Sequence, residues 1–292
     1  MAEAAATALA PPAPKAGPTG LWVAPPLLIL AVIFFYPLSL IVRQSLGDSG
    51  VLSLQHFQEV LSSRQFLDGL YYTIVIAVSA TIGCLVLGFI LSLVIAFVPF
   101  PGAKMAARLI DTIIAFPTFL VTLAFTFIYG SAGMLNGSLM HFFGFELPPI
   151  DFLYSRWGVI LAEITVFTPF VMRPLLATFS QIDQAQIEVA SSLGARPLRI
   201  VRQIILPASL PALLAGGSLC LLLTVNEFGI VLFIGAKDVI TLPLLVYSKA
   251  IQEFDYTTAC VIAVVNIVLS LGLYGFYRTA IGYFGGARAG VV

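Results

Sequence analysis

IEVASSLGARPLRIVRQIILPASLP, Ile187 to Pro211, is a polar island set between two strongly apolar stretches of the chain. Just ahead of it Asp183 is a good N-cap, with Gln186 three residues on as a partial capping box. A short helix is therefore expected from there to Leu193. Gly194 suits the left-handed residue that closes a helix, and Pro197 suits the first turn of the next one. Along that second helix Arg196, Arg199 and Arg202 recur every three residues as one basic stripe, and Leu198, Val201 and Ile205 form the apolar side. Pro207 and Pro211 are expected to stop the helix and turn the chain back. Two readings fit such an element: a docking surface for another protein, or an interfacial helix whose arginines snorkel to lipid headgroups.

The rest of the chain supplies the context. Hydrophobic residues make up 60% of the 292 positions and charged residues 10%, against roughly 25% charged in an average soluble domain. That much apolar surface requires the bilayer as solvent, and no long polar block is present to form a soluble domain. The formal net charge is zero, so nothing points to a nucleic-acid partner. Cys84, Cys220 and Cys260 each lie inside an apolar run, without metal or disulfide spacing, and His56 and His141 fall in separate loops. No metal site and no cofactor are expected.

A membrane-crossing helix needs about 20 mainly apolar residues. Segments 21–43, 69–98, 109–130, 157–179, 211–235 and 258–279 satisfy that, which predicts an all-α polytopic membrane protein with six transmembrane helices. Six crossings put both ends on one side. Nine basic residues (Lys15, Lys104, Arg108, Arg173, Arg196, Arg199, Arg202, Arg278 and Arg288) fall on the face carrying the termini, against five opposite (Arg43, Arg64, Arg156, Lys237 and Lys249). The positive-inside rule then makes both termini and the polar island cytoplasmic. Residues 1–20, rich in Ala, Pro and Gly, are expected to be a disordered cytoplasmic tail, and 281–292 a second tail. Residues 21–68 read as a first transmembrane helix, an uncleaved anchor, followed by a periplasmic loop.

Glu188, Ala190, Gly194, Ile204, Leu206 and Pro207 stand at the spacing E-x-A-(3)-G-(9)-I-x-L-P. This resembles the cytoplasmic "EAA" loop of binding-protein-dependent ABC transporter permeases of type I, where it lies between the fourth and fifth of six spans. Val189 departs from the usual alanine. The resemblance covers residues 69–280 and implies the MetI-like permease fold, with 180–210 as the loop that couples to the ATPase. By position, Glu188, Ala190, Gly194, Arg196, Arg199, Ile204, Leu206 and Pro207 would build it. The implied partners are two ABC ATPase subunits, a second permease subunit, identical or related, and a periplasmic or lipoprotein solute receptor, in a setting of inner-membrane lipid. No G-x-x-x-x-G-K-[ST] string occurs, so ATP chemistry is expected from the partner and the chain itself is not read as an enzyme. VPFPGA (98–103), AFPTFLVTLAF (115–125), DFLYSRWGVILAEIT (151–165), TPFVMRPLLATFSQI (168–182) and NEFGIVLFIGAK (226–237) look like the 2-aminoethylphosphonate permeases of this superfamily. Polyamine, sulfate, thiamine and iron(III) permeases share parts of those strings.

Two acids, Glu163 and Glu227, lie well inside apolar segments. A charge in hydrocarbon costs on the order of 3 kcal/mol, so such residues usually face protein or a water-filled cavity. At a rise of about 1.5 Å per residue they sit roughly 9 and 12 Å from the outer surface. One reading is an acidic vestibule for an amine-bearing solute, with Thr165 and Asn226 as further hydrogen-bonding groups of the translocation path. The other is that each acid is bonded to a neighbouring helix and fixes packing. Asp111 and Arg173, near the cytoplasmic ends of spans three and four, are positioned to pair. Pro117, Pro169 and Pro174 are expected to interrupt those spans, and Gly83, Gly88, Gly216 and Gly217 to permit close helix packing. Two rival classes remain: a secondary carrier, needing an intramembrane ion relay, and an intramembrane enzyme, needing clustered His, Asp or Ser/Lys groups.

Overall fold

A computed structural model describes residues 19–47, 53–237 and 239–285; both expected tails fall largely outside them. Thirteen helices and no strand occur among these residues. α1 (Thr19–Ser45) is followed by a short α2 (Gln55–Ser62) and the long α3 (Arg64–Phe97). α4 (Ala103–Thr112) passes through one 3-10 turn at Ile113–Ala115 before α5 (Thr118–Tyr129), and α6 (Met134–Phe143) lies between α5 and α7 (Arg156–Phe179). Then come α8 (Gln184–Ser192), α9 (Pro197–Ile200), α10 (Leu206–Val225), α11 (Gly229–Ile234), α12 (Leu242–Tyr247) and α13 (Tyr256–Gly285). Six segments are long and apolar enough to cross a membrane: Val23–Ser45, Arg64–Phe97, Thr118–Phe143, Arg156–Phe179, Pro197–Val225 and Tyr256–Thr279.

α3, α7 and α10 pack together as the centre of the molecule, and α7 is the most enclosed of the spans. Missing side chains make this possible. A Cβ on Gly216 of α10 would lie 2.9 Å from Val171 Cα of α7, and one on Gly88 of α3 would lie 3.0 Å from Val171 Cγ1. The predicted close-packing role of these glycines is therefore met by geometry, because dispersion between helices in lipid depends on near contact. Ile76, Val159, Val166, Leu175, Leu213 and Cys220 fill the space between the three helices. A second cluster of Val60, Phe66, Leu242, Leu245, Val261 and Ile262 ties α2, α3, α12 and α13 together. α1 stands apart, leaning on α13, with Leu27, Leu30, Ile33 and Phe34 each more than half exposed.

Several expectations about prolines need correction. α7 runs unbroken through Pro169 and Pro174. Pro207 and Pro211 do not stop the loop helix either: it runs on from α9 through Val201–Ile205 into α10, with Pro207 in the first turn of α10, and α10 continues past Pro211 to Val225. The turn before it, Val201–Ile205, is widened, with the Leu206 N–H reaching back to Val201 O. Such a turn displaces the carbonyl that a proline ring would otherwise strike. Of the prolines expected to interrupt spans three and four, only Pro117 lies between two helices, α4 and α5.

The fifth span also differs at its other end. Residues 211–235 are not one helix: α10 stops at Val225, Asn226–Phe228 are non-helical, and α11 resumes at Gly229. The third span, expected at 109–130, is instead Thr118–Phe143; residues 109–112 close the separate helix α4, and the chain breaks at 113–117 before α5 begins.

Candidate functional site

The polar loop folds as its residues dictate. Asp183 accepts a hydrogen bond from Ala185 N at 2.9 Å and caps α8. The helix closes at Gly194, φ +81°, where Ala195 N reaches Ala190 O at 3.0 Å and Gly194 N reaches Ser191 O at 2.9 Å. Nothing stands within 4 Å of a Cβ placed on Gly194, so its requirement is conformational and not spatial. Pro197 then opens α9.

Ile200 and Ile205 are buried, and Ile187, Ala190, Ala195, Val201, Ile204 and Leu206 pack against the central core. The loop is thereby seated on the body of α3, α7 and α10. Glu188, Arg196, Arg199 and Arg202 are all exposed, and none of them forms an ion pair within the described residues. Pro207 is half-buried at the start of α10. The expected apolar side is partly redrawn: Leu198 is 77% exposed and points away from the core, alongside Leu193 at 83% and Val189 at 59%. The free face of the loop therefore carries apolar side chains interleaved with unpaired charges.

The two acids have different surroundings. Glu163, on α7, is 1% exposed, enclosed in the subunit core with Oε2 lacking a hydrogen-bond partner. Cys84 Sγ of α3 lies beside the same segment, 3.7 Å from Ile164 O. Glu163 thus faces the interior of one subunit and does not line an open vestibule. Glu227 is half-buried in the break between α10 and α11. Its Oε1 accepts bonds from Thr118 Oγ1 at 3.2 Å and from Ile230 N at 2.9 Å. It thereby joins the start of α5 to the start of α11.

Neither of the other two expected path residues is brought to that carboxylate by a hydrogen bond. Thr165 donates to Leu161 O of its own helix at 2.9 Å. Asn226 is exposed, yet its amide is engaged: Nδ2 donates to Leu222 O at 2.8 Å and Oδ1 accepts from Asn266 Nδ2 at 3.1 Å, with Ser270 Oγ 3.3 Å from Nδ2. Asn226 therefore ties α10 to α13. Asp111 and Arg173 do pair, Oδ1 to Nε at 2.9 Å, about half exposed.

Thr118, Asn266 and Ser270 were not anticipated from sequence, since a single polar residue in an apolar run carries no period. Thr118 had one signal: it directly follows Pro117, where a hydroxyl in a first turn has no carbonyl of its own helix four residues back to occupy it. Asn136, fully buried after α5, donates from Nδ2 to Gly130 O at 2.9 Å and Ile150 O at 2.8 Å and accepts from Ile150 N at 3.0 Å. It staples the loop between α5 and α7. Among the described residues no group of three metal-ligating side chains occurs.

An all-α bundle with six candidate spans and an exposed polar loop between the fourth and fifth fits a solute permease of the ABC importer class. Residues 85–280 match the family described as "Binding-protein-dependent transport system inner membrane component", and the chain belongs to that family. It is 65% identical over 261 residues, 89% of this chain and 91% of the relative, to a Salmonella typhimurium protein provisionally named 2-aminoethylphosphonate transport system permease protein PhnU. It is 29% identical over 263 residues to the sulfate transport system permease protein CysT of the same organism, covering 89% of this chain and 91% of that one. Its fold matches a chain of a bacterial ABC transporter involved in import of the acidic polysaccharide alginate, with TM-score 0.77 at 19% identity, over 89% of this chain and 94% of the other. A methionine ABC transporter in an inward-facing form matches with TM-score 0.55 at 17% identity, over 76% of this chain and 94% of that one.

Proposed function

We propose that this chain is the membrane subunit of an ATP-driven importer for 2-aminoethylphosphonate, and that the polar loop is where a separate ATPase grips it. The solute assignment is supported by the 65% identity, across nearly nine-tenths of the chain, to relatives named for that transport system. For the coupling role the supporting observation is the free face of the loop. Val189, Leu193 and Leu198 expose apolar surface beside unpaired Glu188, Arg196 and Arg199, while Ile200, Ile204 and Ile205 root the loop in the central helices. Exposed leucines bracketing a fixed turn suit a protein groove, and the rooted side passes displacement into α10 without a flexible joint.

On this reading both termini are cytoplasmic. Two ATPase subunits hydrolyse ATP, a second permease subunit completes the path, and a periplasmic or lipoprotein receptor delivers the solute. Glu227 lines the path in the outer half of the membrane, where its carboxylate meets the solute's ammonium, and Glu163 stands behind it within the subunit. The test is uptake of labelled 2-aminoethylphosphonate by proteoliposomes holding permease, ATPase and receptor. ATP-dependent uptake that excess sulfate leaves intact is expected. Uptake of sulfate in its place, or uptake persisting without the ATPase, would overturn the assignment.

A further inference from the structure

We propose that Thr118 and Gly229 are positioning residues for Glu227, fixing its carboxylate in one pose where two interrupted helices meet; this rests on the reading of Glu227 as the acid that meets the solute. The two interruptions converge on a single oxygen. Just ahead of span three the 3-10 turn Ile113–Ala115 and the extended Phe116 and Pro117 lead into α5 at Thr118. In span five α10 ends at Val225 and α11 begins at Gly229. Glu227 Oε1 takes both bonds, 3.2 Å from Thr118 Oγ1 and 2.9 Å from Ile230 N. Among the described residues Oε2 takes none, so one oxygen anchors the group and the other remains for a ligand.

The threonines of α5 show that this contact is a choice of geometry. Thr122 and Thr126 each donate to the carbonyl four residues back in their own helix, at 3.1 Å. Thr118 stands at the first turn, behind Pro117, and its hydroxyl crosses to another helix instead. Phe119 and Phe233 pack with ring centroids 5.4 Å apart and hold α5 against α11 beside it. Gly229 keeps the space open: a Cβ there would lie 3.0 Å from Thr118 Oγ1 and 3.3 Å from Glu227 Oε1. Contacts that tight would force one of the two bonded oxygens to move.

A carboxylate anchored through one oxygen presents the other in a fixed direction, so an ammonium gains the interaction without first ordering the side chain. Cutting the anchor leaves the charge but loses its aim. The experiment uses the full importer in proteoliposomes, with solute-loaded receptor held below saturation, and measures solute taken up per ATP hydrolysed. Thr118→Val, which keeps the shape and removes the hydroxyl, is expected to lower that ratio about tenfold, the equivalent of one hydrogen bond to a charged group. Thr118→Ser should restore it, and Gly229→Ala should lower it in the same direction.

A Thr118→Val ratio equal to wild type, with Glu227→Gln impaired, would overturn the positioning role while leaving Glu227 in the path. Equal ratios for both variants would remove Glu227 from the path as well. A Thr118→Val defect that Ser fails to rescue would assign Thr118 to packing and likewise overturn the proposal.

Discussion

Gly194→Ala isolates a single backbone torsion in the turn between α8 and α9, where we propose the ATPase docks. Gly194 has φ +81°, and an added methyl would meet no atom within 4 Å, so steric conflict with neighbours contributes nothing. What remains is the cost of holding an L-residue in the left-handed region, about 1 kcal/mol. That lowers the population of the closed turn by about fivefold relative to glycine. Because the turn separates α8 from α9 and sets Leu193 and Leu198 on either side of it, docking that needs this shape should weaken by the same factor. Asn tolerates the left-handed region better than Ala, and a β-branched Val worse. The expected order of affinity is therefore Gly, Asn, Ala, Val.

The assay is binding of purified ATPase subunit to permease in nanodiscs, alongside thermal unfolding of the permease alone. Unfolding should move little, since Gly194 is itself exposed and a methyl there meets no atom within 4 Å. If Ala and Val bound as tightly as Gly, or if the order ignored left-handed tolerance, the turn would not be held in this conformation when docked.

Three further outcomes follow from the packing. Gly216→Val should push α7 from α10, because even the first carbon meets Val171 Cα at 2.9 Å; a loss of about 1–3 kcal/mol is expected in denaturant titration of the detergent-solubilised protein. Asn136→Ala should destabilise the loop between α5 and α7 by about 2–3 kcal/mol, since it strands Gly130 O and both backbone groups of Ile150, and hydrogen exchange at Ile150 should rise with it. Asp111→Asn should cost no more than about 1 kcal/mol, as the pair with Arg173 is half exposed; exchanging the two residues should recover the loss in the same thermal measurement.

Much of the fold was legible because the bilayer imposes a length and a composition on every span. The polar loop was legible in more detail, since Asp183, Gly194 and Pro197 each act through local backbone chemistry that needs no partner. The helix breaks were harder. Proline reads as a stop signal, yet Pro169, Pro174, Pro207 and Pro211 all sit within continuous spans or at the start of one, where close-packed neighbours and a widened turn absorb the ring. The break at Asn226–Phe228 contains no proline or glycine. There Glu227 takes Ile230 N three residues on, a local cap, while its bond from Thr118 and the bond of Asn226 with Asn266 are tertiary and leave no local signal. Leu198 was misplaced for a related reason: helical period fixes which residues share a face, but the widened turn at Val201–Ile205 changes which face meets the core.

Photo-cross-linking from Leu193 and Leu198 in intact cell membranes bears most directly on the importer account. Both side chains are more than three-quarters exposed, and an unnatural residue at either position should disturb nothing beneath it. Adducts should form with the ATPase subunit, from the cytoplasmic side, and should change in yield between ATP-bound and nucleotide-free states. Adducts confined to lipid, or labelling of these positions by an impermeant reagent added outside, would contradict the account.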